Sequence, residues 1–130
     1  MIKFQRKTKY EMSKYKKQFG NRGEDIAADF LESKGYEIIE RNYHYGHGEL
    51  DIIAKDGKIL VFVEVKTRKN LEFGPPELAI TKNKQRQVRK VAEAYLIEKN
   101  IIDTDVRIDV VAILLQKNLP PKITHIENAF

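Results

Sequence analysis

Apolar residues recur at helical spacing in two segments of the chain. The first covers residues 22–34 and is followed by Gly35, a residue type that often ends a helix. The second covers residues 81–100 and has a basic face opposite its apolar face. These segments are therefore predicted to be helices, with inward-facing residues Ile26, Ala27, Phe30 and Leu31 in the first and Val88, Val91, Ala92, Tyr95 and Leu96 in the second.

The remaining apolar runs are short and rich in branched residues, which is typical of strands. Strands are predicted over 36–43, on both sides of Asp56-Gly57, and over 105–115, with a weaker last strand or tail over 122–130. The run "LVFV" at 60–63 is apolar at every position, so both faces of its strand should be covered. The fold class is predicted to be α/β, a three-layer sandwich with a mixed central sheet flanked by helices.

Asp56-Gly57 is a favoured pair for a type I′ hairpin turn. If these two residues form the loop, Asp51 lies opposite Phe62 and Glu49 lies opposite Glu64. Because side chains alternate along a strand, Glu49, Asp51, Glu64 and Lys66 are predicted to project from one face of the hairpin.

Three carboxylates and one ammonium on a small apolar patch need a compensating charge, because one lysine cannot balance three acids. A divalent cation with oxygen ligands, Mg²⁺ or Mn²⁺, would supply it, with Asp51, Glu64 and Glu49 as candidate ligands. Lys66 would then position or deprotonate a water, or stabilise the charge of a phosphorus centre. The alternative is a solvent-exposed ladder of charges without a metal.

The 130 residues are most simply one domain, and their net charge of +5 is unevenly distributed. Residues 1–20 hold seven basic residues and one acid, which predicts a flexible basic arm before a domain at 21–130. Such an arm fits a polyanionic partner, or is only a solvated terminus. The chain has no cysteine and no apolar run of bilayer length, so the expected location is the cytoplasm, away from membranes.

Basic residues also cluster on the second predicted helix and just after "VEVKT". They would contact the phosphates of a nucleic acid, or would only solvate an amphipathic helix. The candidate nucleic-acid-binding residues are Arg68, Lys69, Lys82, Lys84, Arg86 and Arg89.

The motifs "GNRGEDIAADFLESKGYEIIERNY", "GHGELDIIAKDG", "LVFVEVKTR", "RIDVVAI" and "ITHIENAF" follow one another in this order. In this combination the chain resembles the YraN-like family of bacterial proteins. That family is related to the restriction-endonuclease-like PD-(D/E)XK nucleases, most closely to archaeal Holliday-junction resolvases.

The resemblance implies a metal-dependent nuclease that acts on DNA, with branched or structured DNA as a candidate substrate. It makes Asp51 the acid of the "PD" element, Glu64-Val65-Lys66 the "(D/E)XK" element, and Glu24 a further acid reaching the same metal. Leu50 stands where the motif has proline, as in many resolvase-like members. Gln85 or Gln87 would support the site, and the resolvase likeness is compatible with a homodimer.

Other readings stay open at this stage. The fold could serve as a non-catalytic nucleic-acid or nucleoprotein binding module, or the "ENAF" end could bind another protein.

His44 and His47 are interpreted as loop residues that contact substrate, not as metal ligands. Asp109 is interpreted as structural, with Arg107 or a backbone donor as its partner.

Overall fold

The computed structural model describes the backbone of residues 9–72, 74–75 and 80–130, with side chains from residue 19 onward. Within these ranges the chain forms two helices and five strands. In chain order they are α1 Lys9–Ser33, β1 Glu37–Tyr45, β2 Gly48–Asp56, β3 Ile59–Arg68, α2 Lys82–Glu98, β4 Val106–Leu114 and β5 Lys122–Ile126. Neither of these helices is both long and apolar enough to cross a membrane.

The strands form one mixed sheet in the order β1-β2-β3-β4-β5. β3 and β4 are parallel, and the other neighbouring pairs are antiparallel. The parallel pair requires a crossover connection, and α2 lies within it. The predicted α/β class with a mixed sheet is confirmed.

The two helices cover opposite faces of the sheet. Val61 and Val63 of β3 pack in a cluster with Ala27 and Leu31 of α1. The alternate residues of β3, Leu60 and Phe62, pack in a second cluster with α2. The uninterrupted apolar run in β3 therefore has the cause expected from the sequence, since both of its faces are buried.

α1 ends where the sequence predicts but begins earlier. Gly35 has a φ of 90°, and the amide of Tyr36 donates to the carbonyl of Leu31 at 3.0 Å, which completes a Schellman cap. The start predicted at residue 22 is wrong, because the helix begins at Lys9. The second half of the predicted basic arm is therefore helical, and residues 1–8 lie outside the described residues.

The hairpin between β2 and β3 exists, but its predicted turn is wrong. Asp56 pairs with Ile59, so the two loop residues are Gly57 and Lys58. Only Gly57 has a positive φ, 62°, which matches a type II′ turn in place of type I′. Holding Asp56 inside the ladder brings its carboxylate to 3.3 Å from the guanidinium of Arg107.

This turn moves the pairing by two residues. Ile53, not Asp51, lies opposite Phe62. Extending the same register places Asp51 opposite Glu64 and Glu49 opposite Lys66. An even shift keeps every side chain on its predicted face but changes its neighbour across the strands.

Asp109 is structural, as predicted, and is fully buried. Arg107 donates to both of its carboxylate oxygens, at 2.8 and 3.0 Å, and the amide of Asn128 donates to it at 2.9 Å. His125 lies 2.7 Å from the same carboxylate. These bonds hold the C-terminal segment on the sheet. The half-buried Phe130 packs against the cluster on the α2 side. The "ENAF" end is therefore not the exposed apolar terminus that the sequence suggests.

Candidate functional site

The strands β2 and β3 separate at the position of the candidate acids. Their ladder ends at the pair Ile52 and Val63. Beyond it, β2 continues alongside β1 as far as Gly48, while β3 continues alongside β4 as far as Arg68. Asp51 and Glu64 are thus the first residues past the last pair, at a point that we call the fork.

Asp51 has a structural task at the fork. Its Oδ2 accepts a hydrogen bond from the backbone amide of Val65 at 2.7 Å. That amide lies beyond the last ladder pair with β2, and a buried backbone donor needs an acceptor. The carboxylate of Asp51 therefore takes the place of a missing strand partner.

Glu64 is only 5% exposed and lies beside Asp51. Burial, and then the charge of Asp51, raise the pKa of Glu64 from 4.5 to about 8. Burial likewise raises the pKa of Asp51, with Glu49 adding to the effect. The closeness of the two carboxyl groups therefore favours the protonated form of Glu64 near neutral pH.

Glu64 is incompletely compensated by its surroundings. Its Oε1 lies 3.4 Å from the ammonium of Lys84 on α2, while its Oε2 is buried without a hydrogen-bond partner. A buried carboxyl oxygen without a hydrogen-bond partner is costly. The fork thus has one ammonium on one side and an unfilled acceptor on the other.

Glu24 comes to the same region from α1. Burial, followed by the charge of Asp51, raises its pKa from 4.5 to about 7. Arg41 of β1 lies 3.9 Å from its carboxylate. With its amide nitrogen facing the acids, Asn42 donates to Glu24 at 2.9 Å and to Glu49 at 2.7 Å.

Sequence reasoning does not identify Asn42 as a site residue. Asn42 has a positive φ of 55°, which asparagine tolerates better than most residues do. Its side chain lies between Glu24 and Glu49. In this amide orientation Asn42 links Glu49 to Glu24, and the extended register places Glu49 opposite Lys66, in contrast to the predicted position opposite Glu64.

Close packing brings α1 to the sheet beside Glu24. A Cβ at Gly23 would lie 2.0 Å from Oγ1 of Thr67 in β3. Only glycine permits this approach. The residue before Glu24 is therefore important for holding that acid near the fork.

Lys66 lines a cleft of about 290 Å³ together with Glu24, Asp51 and the α1 residues Phe19 and Gly20. Burial, and then the charge of Arg68, lower the pKa of Lys66. The three side chains predicted to act with Glu64, namely Glu24, Asp51 and Lys66, thus share one cleft.

The arrangement is suited to a hard cation without being a complete ligand set. Among the described residues, no group of three or more acids or histidines is close enough together to hold a metal ion. The fork does supply two carboxylates with raised pKa values and the unpartnered Oε2 of Glu64. Because Mg²⁺ keeps several waters and often uses only one or two carboxylates, these donors fit it.

The predicted nucleic-acid-binding residues divide into two groups. Lys84 is half-buried against Glu64, which gives it a contact at the fork. Arg68 is near enough to Lys66 to shift its pKa. The others are exposed, namely Lys69 after β3 and Lys82, Arg86 and Arg89 on α2.

The glutamines and histidines occupy other positions. The side chain of Gln85 donates to the carbonyl of Ile80 at 3.4 Å, before the start of α2. Gln87 lines a pocket beside the turn between β1 and β2, together with His47. His44 is exposed and pairs with Glu49 along the β1–β2 ladder.

Comparison with known proteins gives a consistent result. Residues 23–113 match the profile described as "Uncharacterised protein family UPF0102". A UPF0102 protein of Geobacter sulfurreducens is 51% identical over 120 residues, covering 92% of this chain and 94% of the relative. A UPF0102 protein of Dictyoglomus turgidum is 46% identical over 99 residues, covering 76% of this chain and 84% of the relative.

Proposed function

The chain belongs to the UPF0102 (YraN-like) family, and from that membership and the fork we propose that it is a metal-dependent nuclease that hydrolyses phosphodiester bonds in DNA. The proposal includes a restriction-endonuclease-like identity for the sheet and its two helices. The observation that carries it is the pair of half-buried Asp51 and buried Glu64, with an unpartnered carboxylate oxygen where two strands separate. The predicted homodimer and cytoplasmic location stay predictions.

Asp51 and Glu64 would hold Mg²⁺ or Mn²⁺, which when bound supplies positive charge to a phosphate that gains negative charge during attack. The raised pKa values of both acids are the consequence expected when two carboxylates share a buried position built for a cation. Glu49 would orient Glu24 through Asn42 and not act as a direct ligand.

Lys66 and Glu24 supply the proton chemistry. A lowered pKa makes the neutral amine of Lys66 more accessible, so that it can accept a proton from an attacking water. Glu24, with a pKa of about 7, can also exchange a proton near neutral pH in the same cleft. Arg68 beside Lys66 would hold the substrate phosphate.

The test is cleavage of labelled junction, flap, single-stranded and duplex DNA in Mg²⁺ or Mn²⁺. The wild type should cut at least one of these, and Lys66→Ala should lose about 100-fold or more, as expected for loss of a general base. Asp51→Asn should have a similar effect, while its remaining oxygen can still accept from Val65. Lys58→Ala, which changes an exposed lysine at the far end of the hairpin, is the matched control.

Equal cleavage by the wild type and both site variants would refute the assignment, since a contaminant would then be the source. No cleavage of any substrate by the wild type would favour the second candidate function.

That second candidate is a non-catalytic nucleic-acid binding module, and the exposed basic residues of α2 favour it. It predicts DNA binding that weakens steeply with salt, survives Asp51→Asn and falls on Arg86→Ala with Arg89→Ala. Calorimetric titration with Mg²⁺ separates the candidates. A nuclease of this type should bind Mg²⁺ and lose that binding when Asp51 is replaced, whereas a binding module does not require Mg²⁺.

A further inference from the structure

A second concave site lies beside the turn between β1 and β2. It has a volume of about 260 Å³ and is lined by Tyr45, Gly46, His47, Gly48, Gln87, Lys90 and Val91. One wall is the turn itself and the other is the first half of α2. We call it the turn pocket.

The local sequence fixes the shape of the turn pocket. Tyr45 pairs with Gly48 to close the turn, and Gly46 has a φ of 59°. Gly48 packs so closely on α2 that a Cβ there would lie 2.5 Å from Cγ2 of Val91. Any larger residue at 48 would push the turn away from the helix and open the pocket.

Tyr45 is an aromatic side chain that lies outside both buried clusters. Two residues earlier on the same strand face, Tyr43 is buried and bonded to Glu98. Tyr45 lies past the end of that cluster and is 52% exposed. A large exposed ring on a tight turn is available to stack on a planar ligand.

The other lining groups indicate which planar ligand the pocket would accept. Gln87 offers an amide that can both donate and accept hydrogen bonds, and Lys90 offers a positive charge. None of the described residues that line the pocket is acidic. A ring platform, an amide and a cation together match a nucleobase and its phosphate.

We propose that the turn pocket binds one unpaired base of a DNA strand held at the fork, an inference that rests on the proposed nuclease function. Its size is adequate, because an apolar cavity of about 150 Å³ accommodates benzene. A base inside duplex DNA cannot enter without leaving its stack, so the pocket would favour flaps, bulges and single strands over duplex.

The distance to the fork suits this role. Gly48 and Asp51 are three residues apart on β2, or about 10 Å at the rise of a strand. Stacked nucleotides advance about 3.4 Å along each strand, so the captured base would lie about three nucleotides from the cleaved phosphate. The pocket would thereby select substrates with an unpaired nucleotide near the cut.

The experiment measures DNA binding in EDTA, so that it does not depend on cleavage. Fluorescence anisotropy compares a flap and a fully paired duplex of the same length, for wild type, Tyr45→Ala and Tyr45→Phe. Tyr45→Ala should weaken flap binding about 5- to 150-fold, the effect of losing one base–aromatic stack, with duplex binding unchanged. Tyr45→Phe keeps the ring and should bind the flap as the wild type does, and Gln87→Ala should weaken flap binding selectively.

Unchanged flap binding by Tyr45→Ala, or an equal loss on flap and duplex, would overturn the proposal, as would a wild type that binds no DNA. A selective loss supports it even where no cleavage is detected. In that case the nuclease proposal fails and the base-binding site remains, so the two failures can be told apart.

Discussion

Replacing Glu64 by glutamine tests whether the acids at the fork repel one another in the absence of a metal. The folded protein raises the pKa of Glu64 from 4.5 to about 8, mainly through burial and the charge of Asp51. Because the folded state holds this proton more tightly than the unfolded chain, stability falls as pH rises from about 4.5 to about 8. Each full pH unit in that window costs up to about 1.4 kcal/mol, and the slope flattens towards both pKa values, so the wild type should lose about 3 to 4 kcal/mol between pH 5 and pH 8.

Glutamine keeps the shape of the side chain and cannot ionise. In EDTA, Glu64→Gln should match the wild type near pH 5 and exceed its unfolding free energy by up to about 3 to 4 kcal/mol at pH 8. The loss of attraction to Lys84, whose side chain is 38% exposed, reduces this gain. The measurement is urea unfolding followed by circular dichroism at pH 5, 6, 7 and 8.

Glu93→Gln, at an exposed position on α2, is the control and should leave the pH profile unchanged. A loss of several kcal/mol by Glu64→Gln at every pH would show that Glu64 and Lys84 form a structural ion pair. The interpretation of the fork as a cation site would then be wrong.

Three further changes examine the contacts around the fork and the core. Lys84→Met removes the ammonium 3.4 Å from Glu64, and because that charge repels a cation, calorimetry should show about tenfold tighter Mg²⁺ binding. An unchanged affinity would show that Lys84 does not influence the metal site. Gly23→Ala should lower the free energy of unfolding by about 1–3 kcal/mol in urea, because its Cβ would lie 2.0 Å from Thr67 Oγ1. Adding Thr67→Ala to the same chain should restore part of that loss. If the effects of the two substitutions on the unfolding free energy simply add, the contact is contradicted. Asp109→Asn should cost about 3–5 kcal/mol, because it removes a fully buried carboxylate that pairs with the half-buried guanidinium of Arg107 and accepts from Asn128. A loss under 1 kcal/mol would contradict this structural role.

The sequence determines which face of the sheet each hairpin acid occupies but not which acid it meets. Side-chain alternation depends only on whether a register shift is even or odd, so the two-residue error at Gly57 left the faces intact. The neighbours depend on the actual turn. Arg107 on β4, 51 residues further along the chain, bonds to the carboxylate of Asp56 beside that turn.

The contact of Lys84 with Glu64 has a signal in the sequence. Lys84 precedes the buried residues Val88 and Val91 by four and seven positions, so it lies on the apolar stripe of α2 and not on the basic face. The early start of α1 also has a signal in the sequence, since Met12, Tyr15 and Phe19 continue its helical spacing through the basic segment. Asn42 gives only a weak signal, because its bridge joins acids from α1 and β2 that are distant in the chain.

The charge balance at the fork depends on elements outside the hairpin that carries its motif. α2 supplies the ammonium of Lys84, and β1 supplies Asn42 between Glu24 and Glu49. Even Asp51 is partly committed to the fold, because it accepts from the Val65 amide where the strands part. A cation at the unpartnered Oε2 of Glu64 would be repelled by Lys84 at the neighbouring Oε1 and would have to leave the Asp51 bond in place. Metal binding should therefore be weak in Asp51→Ala. Stability should also fall more in Asp51→Ala than in Asp51→Asn, which retains an acceptor for Val65.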